Sequence, residues 1–559
     1  MTGPGDPLLA GLCASVWRTV CWHLDGAAIG SSVEALARHG VFAALREASA
    51  PLAAEDLASR VGARPGLLHV ALRLLADQGF VSRESGGEPG RVGVRLTPTG
   101  LDWLRTLGTY RGAAARTDRA RALMLSFAGD GAAPIDPVVD RLAGEPEADL
   151  LGAGDLIERR ARAHRDGPLV AAAVTGLDRS GALARLAQGG ARGCPDEELP
   201  GPGHAVAAAL AVLAGQGWLK REAGRASLTF EGRVVSEVAP QYWYAASYLP
   251  TLGRAGRRIF DAPAARDSGD RGTEDGIDGV DDHDGVERHV DRALDIAFSG
   301  VVFRRVCLEP LLSAVLPLFE SEPLESQPAA VVDTGSGDGT LLVELYRAIR
   351  ERTARGRRPD AARLRMVGVE YNEVARRETE RRLRAEGVPG WSVRGDVADP
   401  DGTAASLREH GLDPRDVLHV SKSVIHNRRF TPPGEDDGLP PFGDPDGVFV
   451  DADGERIAVR RLELDLVQLF RRYRPFTARH GMVVVEAHAV PPEAIAAAIG
   501  RAPLTLVDAC HALSGQLLVE ARVFRAAARA AGLASAFSRD LDTAAVGRPL
   551  LTIDRFRPA

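Results

Sequence analysis

The stretch that most constrains this chain is Val331-Val332-Asp333-Thr334-Gly335-Ser336-Gly337-Asp338-Gly339-Thr340. It is an apolar run that breaks into a glycine-rich turn and resumes as a helical pattern from Leu341 to Arg350. Glycine takes positive φ at no steric cost and lets a ligand come close to the backbone. A second apolar run, Met366-Val367-Gly368-Val369, ends in Glu370, and a third acidic turn follows at Gly395-Asp396-Val397. Strand, turn and helix, then further strands ending in acids, make a doubly wound α/β sheet with its ligand beyond the carboxyl ends of the strands. At that spacing Glu370 can hold both hydroxyls of a ribose, and Asp396 can take an adenine amine.

The turn does not read G-x-G-x-x-G, the pattern that seats a pyrophosphate on a helix N-terminus. Asp333 and Asp338 flank it instead. Carboxylates there repel phosphate but suit the sulfonium and amino group of S-adenosylmethionine. The triple pattern resembles the class I S-adenosylmethionine-dependent methyltransferases. That resemblance implies a Rossmann-like α/β domain with a seven-stranded sheet whose last strands form an antiparallel pair. The residues expected at the cofactor are Asp333, Gly335, Gly337, Asp338, Glu370, Tyr371, Asp396, Val397 and Ser421.

At 559 residues the chain exceeds one such domain. Four segments are expected: an N-terminal helical and winged-helix domain at 1–160, a second winged-helix-like or lid domain at 161–260, an acidic glycine-rich linker at 261–289, and the methyltransferase domain at 290–559. In the first winged helix, one helix is expected over Val33 to Leu45, a second over Leu52 to Val61, and a third opening at Pro65; proline is favoured at a first helical position. Phe80 to Arg83 and Val92 to Leu96 would be the wing strands. A weak repeat supports the second copy. Leu75-Ala76-Asp77-Gln78-Gly79-Phe80 matches Leu213-Ala214-Gly215-Gln216-Gly217-Trp218, and Leu96-Thr97-Pro98-Thr99-Gly100 is echoed by Leu228-Thr229-Phe230-Glu231-Gly232. The first recognition position offers mainly Arg73, and the net charge is -7, so dimerisation or lid duty is the better reading than nucleic-acid binding.

No apolar run reaches membrane-spanning length, and the N-terminus lacks a basic region before an apolar core, so neither membrane insertion nor secretion is expected. Five scattered cysteines with no C-x-x-C fit free thiols in a reducing cytoplasm. In the methyltransferase region, strands are expected at Ala330 to Asp333, Arg365 to Glu370, Trp391 to Arg394, Asp416 to Ser421, Met482 to Glu486, Ala534 to Arg539 and Leu550 to Phe556.

Three clusters follow strand ends and could do chemistry: Ser421 through Arg429, Glu486-Ala487-His488, and Asp508 through Gln516. Histidine serves as a base or metal ligand near neutral pH. Imidazole with an oxygen donor suits iron, manganese or cobalt better than a closed zinc site. The run Asp416-Val417-Leu418-His419-Val420 to His426-Asn427-Arg428, with Val485-Glu486-Ala487-His488 and His511 to Glu520, resembles the metal-dependent C-methyltransferase domains that open some bacterial polyketide synthases, the apratoxin loading-module type. The resemblance implies a mononuclear iron or manganese site at His511 and Gln516. It also implies methylation of the α-carbon of a malonyl-type group, free or on an acyl carrier protein, in secondary metabolism. His426 and His488 are then the candidate bases, and Arg428 the candidate partner of a substrate carboxylate. One departure is Ile425, which stands where the family segment ends in aspartate. Two other readings accompany this one: a metal-free O- or N-methyltransferase of small molecules, and a methyltransferase-like scaffold without catalysis. A homodimer is compatible with either.

Overall fold

The computed structural model describes residues 7–85, 91–129, 155–261, 289–321, 323–358, 364–434, 438–443, 447–451, 454–541 and 543–559. Most of the acidic stretch and residues 86–90, between the strands expected at 80–83 and 92–96, lie outside these residues. The chain forms two compact units. The first gathers the described residues of Met1–Ala265, Arg288–Phe298 and Pro491–Ser514; the second holds Ser299–Val490 and Gly515–Ala559.

The first unit begins with the long helix Pro7–Arg38 and the short helix Val41–Glu47. The single helix expected over 33 to 45 is therefore two, because Gly40 between them takes φ 77°, outside the helical region. Strand β1 (Leu52–Ala53) precedes helices Ala54–Val61 and Pro65–Asp77, and β2 (Val81–Ser85) pairs with β3 (Val92–Leu96). These form a three-stranded sheet in the order β1-β3-β2. A second set, β4 (Cys194–Pro195), β5 (Leu219–Glu222) and β6 (Arg225–Leu228), repeats that order as β4-β6-β5.

The sequence repeat has a local physical cause. Thr97 and Thr229 each cap a helix, accepting from the amides of Gly100 and Gly232 at 2.9 and 3.1 Å. A Cβ on either glycine would stand 1.8 Å from the Phe80 carbonyl oxygen or 2.0 Å from that of Trp218. Thr-x-x-Gly thus returns because the cap needs the hydroxyl and the close approach needs the missing Cβ.

Helices Pro492–Ala497 and Leu504–Leu513 also belong to the first unit. They pack on Pro65–Asp77, where the Arg73 Nε donates to Asp508 at 2.6 Å and Gln78 donates to Thr505 at 2.6 Å. Residues 290–298 and 491–514 therefore group apart from the rest of the span 290–559, and the spans 1–160 and 161–260 group together.

The second unit is built on a seven-stranded sheet. Its strands are β7 (Ala330–Thr334), β8 (Arg365–Glu370), β9 (Gly390–Arg394), β10 (Val417–Lys422), β11 (Met482–Ala487), β12 (Leu533–Leu541) and β13 (Leu551–Pro558). The order is β12-β13-β11-β10-β7-β8-β9, and β13 runs antiparallel to both its neighbours. Strands β7, β10 and β11 are buried along both faces, which explains their unbroken apolar runs. One face packs on Thr340–Arg352 and Leu308–Val315; the other packs on the amphipathic helices Val459–Tyr473 and Ala521–Ala530. The strand order reverses between β10 and β7, so the crevice at their carboxyl ends is where a ligand belongs.

Candidate active site

At the end of β7, Asp333 is 1% exposed, and its Oδ1 has no hydrogen-bond partner among the described residues. Burial first, and then the nearby Glu370 carboxylate, push its carboxyl up to about 7, with Lys422 pulling the other way. The turn that follows bends through Gly335 at φ 79°, Gly337 at φ 56° and Gly339 at φ 77°. Gly335 has a second reason to be glycine: a Cβ would lie 2.7 Å from Val424 Cγ2.

Glu370 ends β8 and accepts from the backbone amides of Gly337, Tyr371 and Asn372 at 2.9, 2.9 and 3.0 Å. Its carboxylate thereby ties the glycine turn to the next strand. Tyr371 is 41% exposed, with the Arg394 guanidinium over its ring at 5.8 Å. Asp396 accepts from Ala398 N at 2.8 Å, and the carbonyl of buried Val397 accepts from the Tyr473 hydroxyl at 3.1 Å. Ser421, at the end of β10, is fully buried, and its hydroxyl has no partner among the described residues.

Asp338 is different. Its carboxylate accepts from the Thr340 amide and hydroxyl at 3.0 and 2.9 Å and pairs with Arg382 at 2.8 Å. Expected at the cofactor, it anchors the start of helix Thr340–Arg352. The other residues fit S-adenosylmethionine. Asp333 and Ser421 are buried polar groups lacking partners, two acids end successive strands, and the turn carries no side chain that blocks the backbone.

A second buried polar cluster sits one strand over. After β10 the chain turns at Ser423, whose φ of 52° is unusual for a residue with a side chain. The short turn Ile425–Asn427 follows. It delivers His426, 6% exposed, to the Glu486 carboxylate at the end of β11, where His426 Nδ1 and Glu486 Oε1 form a short hydrogen bond. Glu486 also accepts from Ile425 N at 3.1 Å and Ala487 N at 2.9 Å. Burial alone would raise the Glu486 carboxyl; the His426 imidazole against it outweighs that and holds it below its ordinary value. A base oriented by a buried carboxylate is the arrangement that fixes a histidine's tautomer and stabilises the imidazolium it becomes. The sequence reading named His426 but missed Glu486 as its partner. The signal was the parallel register of β10 and β11, with Lys422 opposite Val485, which brings the two strand ends to one level.

Two residues expected in the active site make framework contacts. His488 is 3% exposed; Nδ1 bonds the Val519 carbonyl at 3.2 Å and Nε2 bonds the Thr552 hydroxyl at 2.8 Å. Burial lowers it to about 4, and both ring nitrogens are occupied by these framework partners. Arg428 is 4% exposed; its Nε donates to Asp465 at 2.9 Å and its Nη1 to the Ile425 carbonyl at 3.0 Å. It holds the loop after His426 and already has its carboxylate.

His511 lies in the last turn of Leu504–Leu513, in the first unit, and Gln516 lies just inside the second. The His511 Nδ1 bonds the Val507 carbonyl at 2.6 Å and is 3.4 Å from the Tyr244 hydroxyl. That carbonyl fixes the proton on Nδ1 and makes Nε2 the lone-pair nitrogen, the tautomer a metal-bound histidine adopts. Among the described residues, no three His, Cys, Asp or Glu side chains come together in a form that could hold a metal. Also among them, no helix is long and apolar enough to cross a membrane.

Residues 287–542 match the family model of AprA MT2-like domains, and residues 17–83 match that of AprA N-terminal domains. No curated protein matches the sequence significantly. Among solved structures, the chain is similar to the mitomycin 7-O-methyltransferase MmcR at 17% identity over 70% of this chain and 95% of that one, with a TM-score of 0.42. It is also similar to an O-methyltransferase family 2 protein from Planctomyces limnophilus, solved with apigenin, at 11% identity over 100% and 98%, with a TM-score of 0.39. The CurJ carbon methyltransferase aligns at 10% identity over 80% and 99%, with a TM-score of 0.32. With the family matches, the sheet order and the acid-lined glycine turn in agreement, the chain is an S-adenosylmethionine-dependent methyltransferase that joins an AprA N-terminal domain to an AprA MT2-like methyltransferase domain.

Proposed function

We propose that this enzyme methylates an acidic position of a small or carrier-bound acid, with His426 taking the acceptor's proton and Glu486 orienting the imidazole. The buried His426–Glu486 pair beside the cofactor strands carries this reading. Asp333 faces the cationic end of S-adenosylmethionine, Glu370 its ribose, and Asp396 with Val397 its adenine. Proton removal makes the acceptor nucleophilic, and attack on the sulfonium methyl releases S-adenosylhomocysteine. General-base help of this kind is worth about 10²–10⁴ in rate.

The acceptor we favour is the α-carbon of a malonyl-type or β-dicarbonyl acid in secondary-metabolite assembly, as the likeness to polyketide loading-module domains suggests. His511 and Gln516 are the side chains that would hold a mononuclear iron or manganese ion, or cobalt. The Nδ1 bond to Val507 supports His511 in that role. Such an ion would supply Lewis-acid polarisation of the two carbonyls. The second reading, O- or N-methylation of a small molecule without metal, draws on the same His–Glu pair, which needs no metal to deprotonate a phenol-like acceptor.

The test combines metal analysis with acceptor assays. Purified protein and the His511→Ala and Gln516→Ala variants are measured for iron, manganese and cobalt, and activity is followed on malonyl-type acids and on phenols. Near-stoichiometric metal lost from both variants, with carbon methylation, is the expected result. Metal-free protein that methylates oxygen or nitrogen would replace the carbon reading with the second. His426→Ala should lower kcat by about 10²-fold or more in either case while leaving S-adenosylmethionine affinity unchanged, and Glu486→Gln should lower it less. Full activity in His426→Ala would remove the base from the proposal.

A further inference from the structure

The second unit has a cavity of about 510 Å³ at the opposite end of the sheet from the cofactor strands' carboxyl ends. It opens at the starts of β8 and β9, beside the end of helix Thr340–Arg352. Its lining sets Arg350, Arg355 and Arg365 with Tyr346 and Trp391 among apolar Ile349, Leu364 and Pro389, and includes no acid among the described residues. Arg355 lies at the floor, 7% exposed, held through Nη1 by the Gln327 side chain and the Pro328 carbonyl at 3.3 Å each. Arg350 and Arg365 stand exposed at the rim, their guanidinium groups over Tyr346 at 5.8 Å and Trp391 at 5.7 Å. None of the three makes an ion pair with a described carboxylate, whereas their neighbours Arg347, Arg352 and Arg357 each do. Asp416 is the acid whose field reaches Arg355, and it is itself paired with Arg479 and His480.

The cavity is built rather than incidental. Thr353 Oγ1 donates to the Ile349 carbonyl at 2.6 Å, Gly356 N to the Thr353 carbonyl at 3.2 Å, and Arg355 N to the Phe319 carbonyl at 3.2 Å. A Cβ on Gly356 would stand 1.9 Å from the Arg350 carbonyl oxygen, so only glycine closes this turn against the helix end. A helix C-terminus is slightly negative and opposes an anion, but three guanidinium groups outweigh a partial charge.

From this geometry we propose that the cavity binds a small phosphorylated molecule, its phosphate held by Arg350, Arg355 and Arg365 and its organic part lying against Tyr346 and Trp391. Guanidinium forks match phosphate oxygens two at a time, and a dianion at neutral pH balances clustered arginines better than one carboxylate does. The volume falls within the range of small-molecule sites and exceeds what bare phosphate fills. The site is remote from methyl transfer, so it serves regulation or docking of a cosubstrate rather than the reaction itself.

The experiment is calorimetric titration of the full chain with phenyl phosphate, beside phenol and citrate, in the parent and in Arg350→Gln and Arg365→Gln. Both substitutions are at exposed positions, and each variant is first checked for unchanged melting and unchanged S-adenosylmethionine binding. Phenyl phosphate should bind, phenol should not, and each variant should weaken binding about tenfold. No binding of phenyl phosphate, binding in both variants as tight as in the parent, or citrate binding as tightly as phenyl phosphate would each overturn the assignment.

Discussion

Asp333 is the buried acid at the end of β7 whose ionisation sets the charge facing the glycine turn. Its carboxyl sits near 7 because burial and the neighbouring Glu370 both favour the protonated form. A cationic cofactor end placed against it favours the ionised form, so binding must expel a proton when the pH lies below that value. S-adenosylmethionine affinity should therefore rise as pH climbs from 6 to 8 and level off above, by about tenfold overall. Without cofactor the sign for stability is the reverse. The folded carboxyl holds its proton up to about 7 while the unfolded one loses it near 3.8, so this residue's contribution to folding falls as pH rises through that window. Titration calorimetry across the range checks the slope; in Asp333→Asn affinity should be lower and the slope gone. An unchanged slope in that variant would place the titrating group elsewhere. That Asp333 and Glu370 stand at the ends of β7 and β8 was legible in the sequence because each closes an apolar run, and Gly395 marked the turn that carries Asp396. What Asp338, Arg428 and His488 do was not legible. Their partners Arg382, Asp465 and Thr552 lie 44, 37 and 64 positions away and meet them only across packed elements.

At the scale of elements, the turn after β7 and the turn after β10 hold each other. Gly335 at φ 79° passes so close to Val424 that any Cβ collides, and Ser423 at φ 52° throws Val424 and His426 into place. Gly335→Ala should cost about 1–3 kcal/mol through the combined φ and contact penalty, and should weaken cofactor binding as the turn shifts. Ser423→Gly removes strain from the second turn and should change stability by no more than about 1 kcal/mol in the favourable direction. Denaturant unfolding of both variants decides the matter; a harmless Gly335→Ala would mean the two turns are not coupled. The seven strands were readable to within two residues at either end: β7, β8, β10 and β11 as short apolar runs, and β12 and β13 as the final pair that the family resemblance implies. The first helices were not, since the 3.6-residue periodicity runs through Gly40 and gives no sign that its φ breaks the helix.

Across the whole molecule, sequence order and structural membership part ways. Residues 491–514 follow β11 in the chain but group with the first unit, and Leu504, Leu506, Ala509, Cys510 and Leu513 are buried there. Sequence reading could not anticipate this, because the apolar faces of Pro492–Ala497 and Leu504–Leu513 are as compatible with the cofactor sheet as with Pro65–Asp77. Uncovering each of the larger side chains costs about 1.5–3 kcal/mol, and several at once exceed the margin by which a domain stays folded. Loss of the first unit's helices also leaves Asp508 without the Arg73 guanidinium that pairs with it at 2.6 Å. A fragment limited to residues 287–559 should therefore aggregate or melt broadly, although it contains every strand of the seven-stranded sheet. The same fragment with 491–514 replaced by a short glycine–serine link should regain a sharp transition and bind S-adenosylmethionine, yet methylate nothing if His511 serves the reaction. Light scattering and thermal unfolding separate these outcomes. A well-behaved, cofactor-binding 287–559 fragment would show that the two helices fold without the first unit and that their burial there is not what holds the enzyme together.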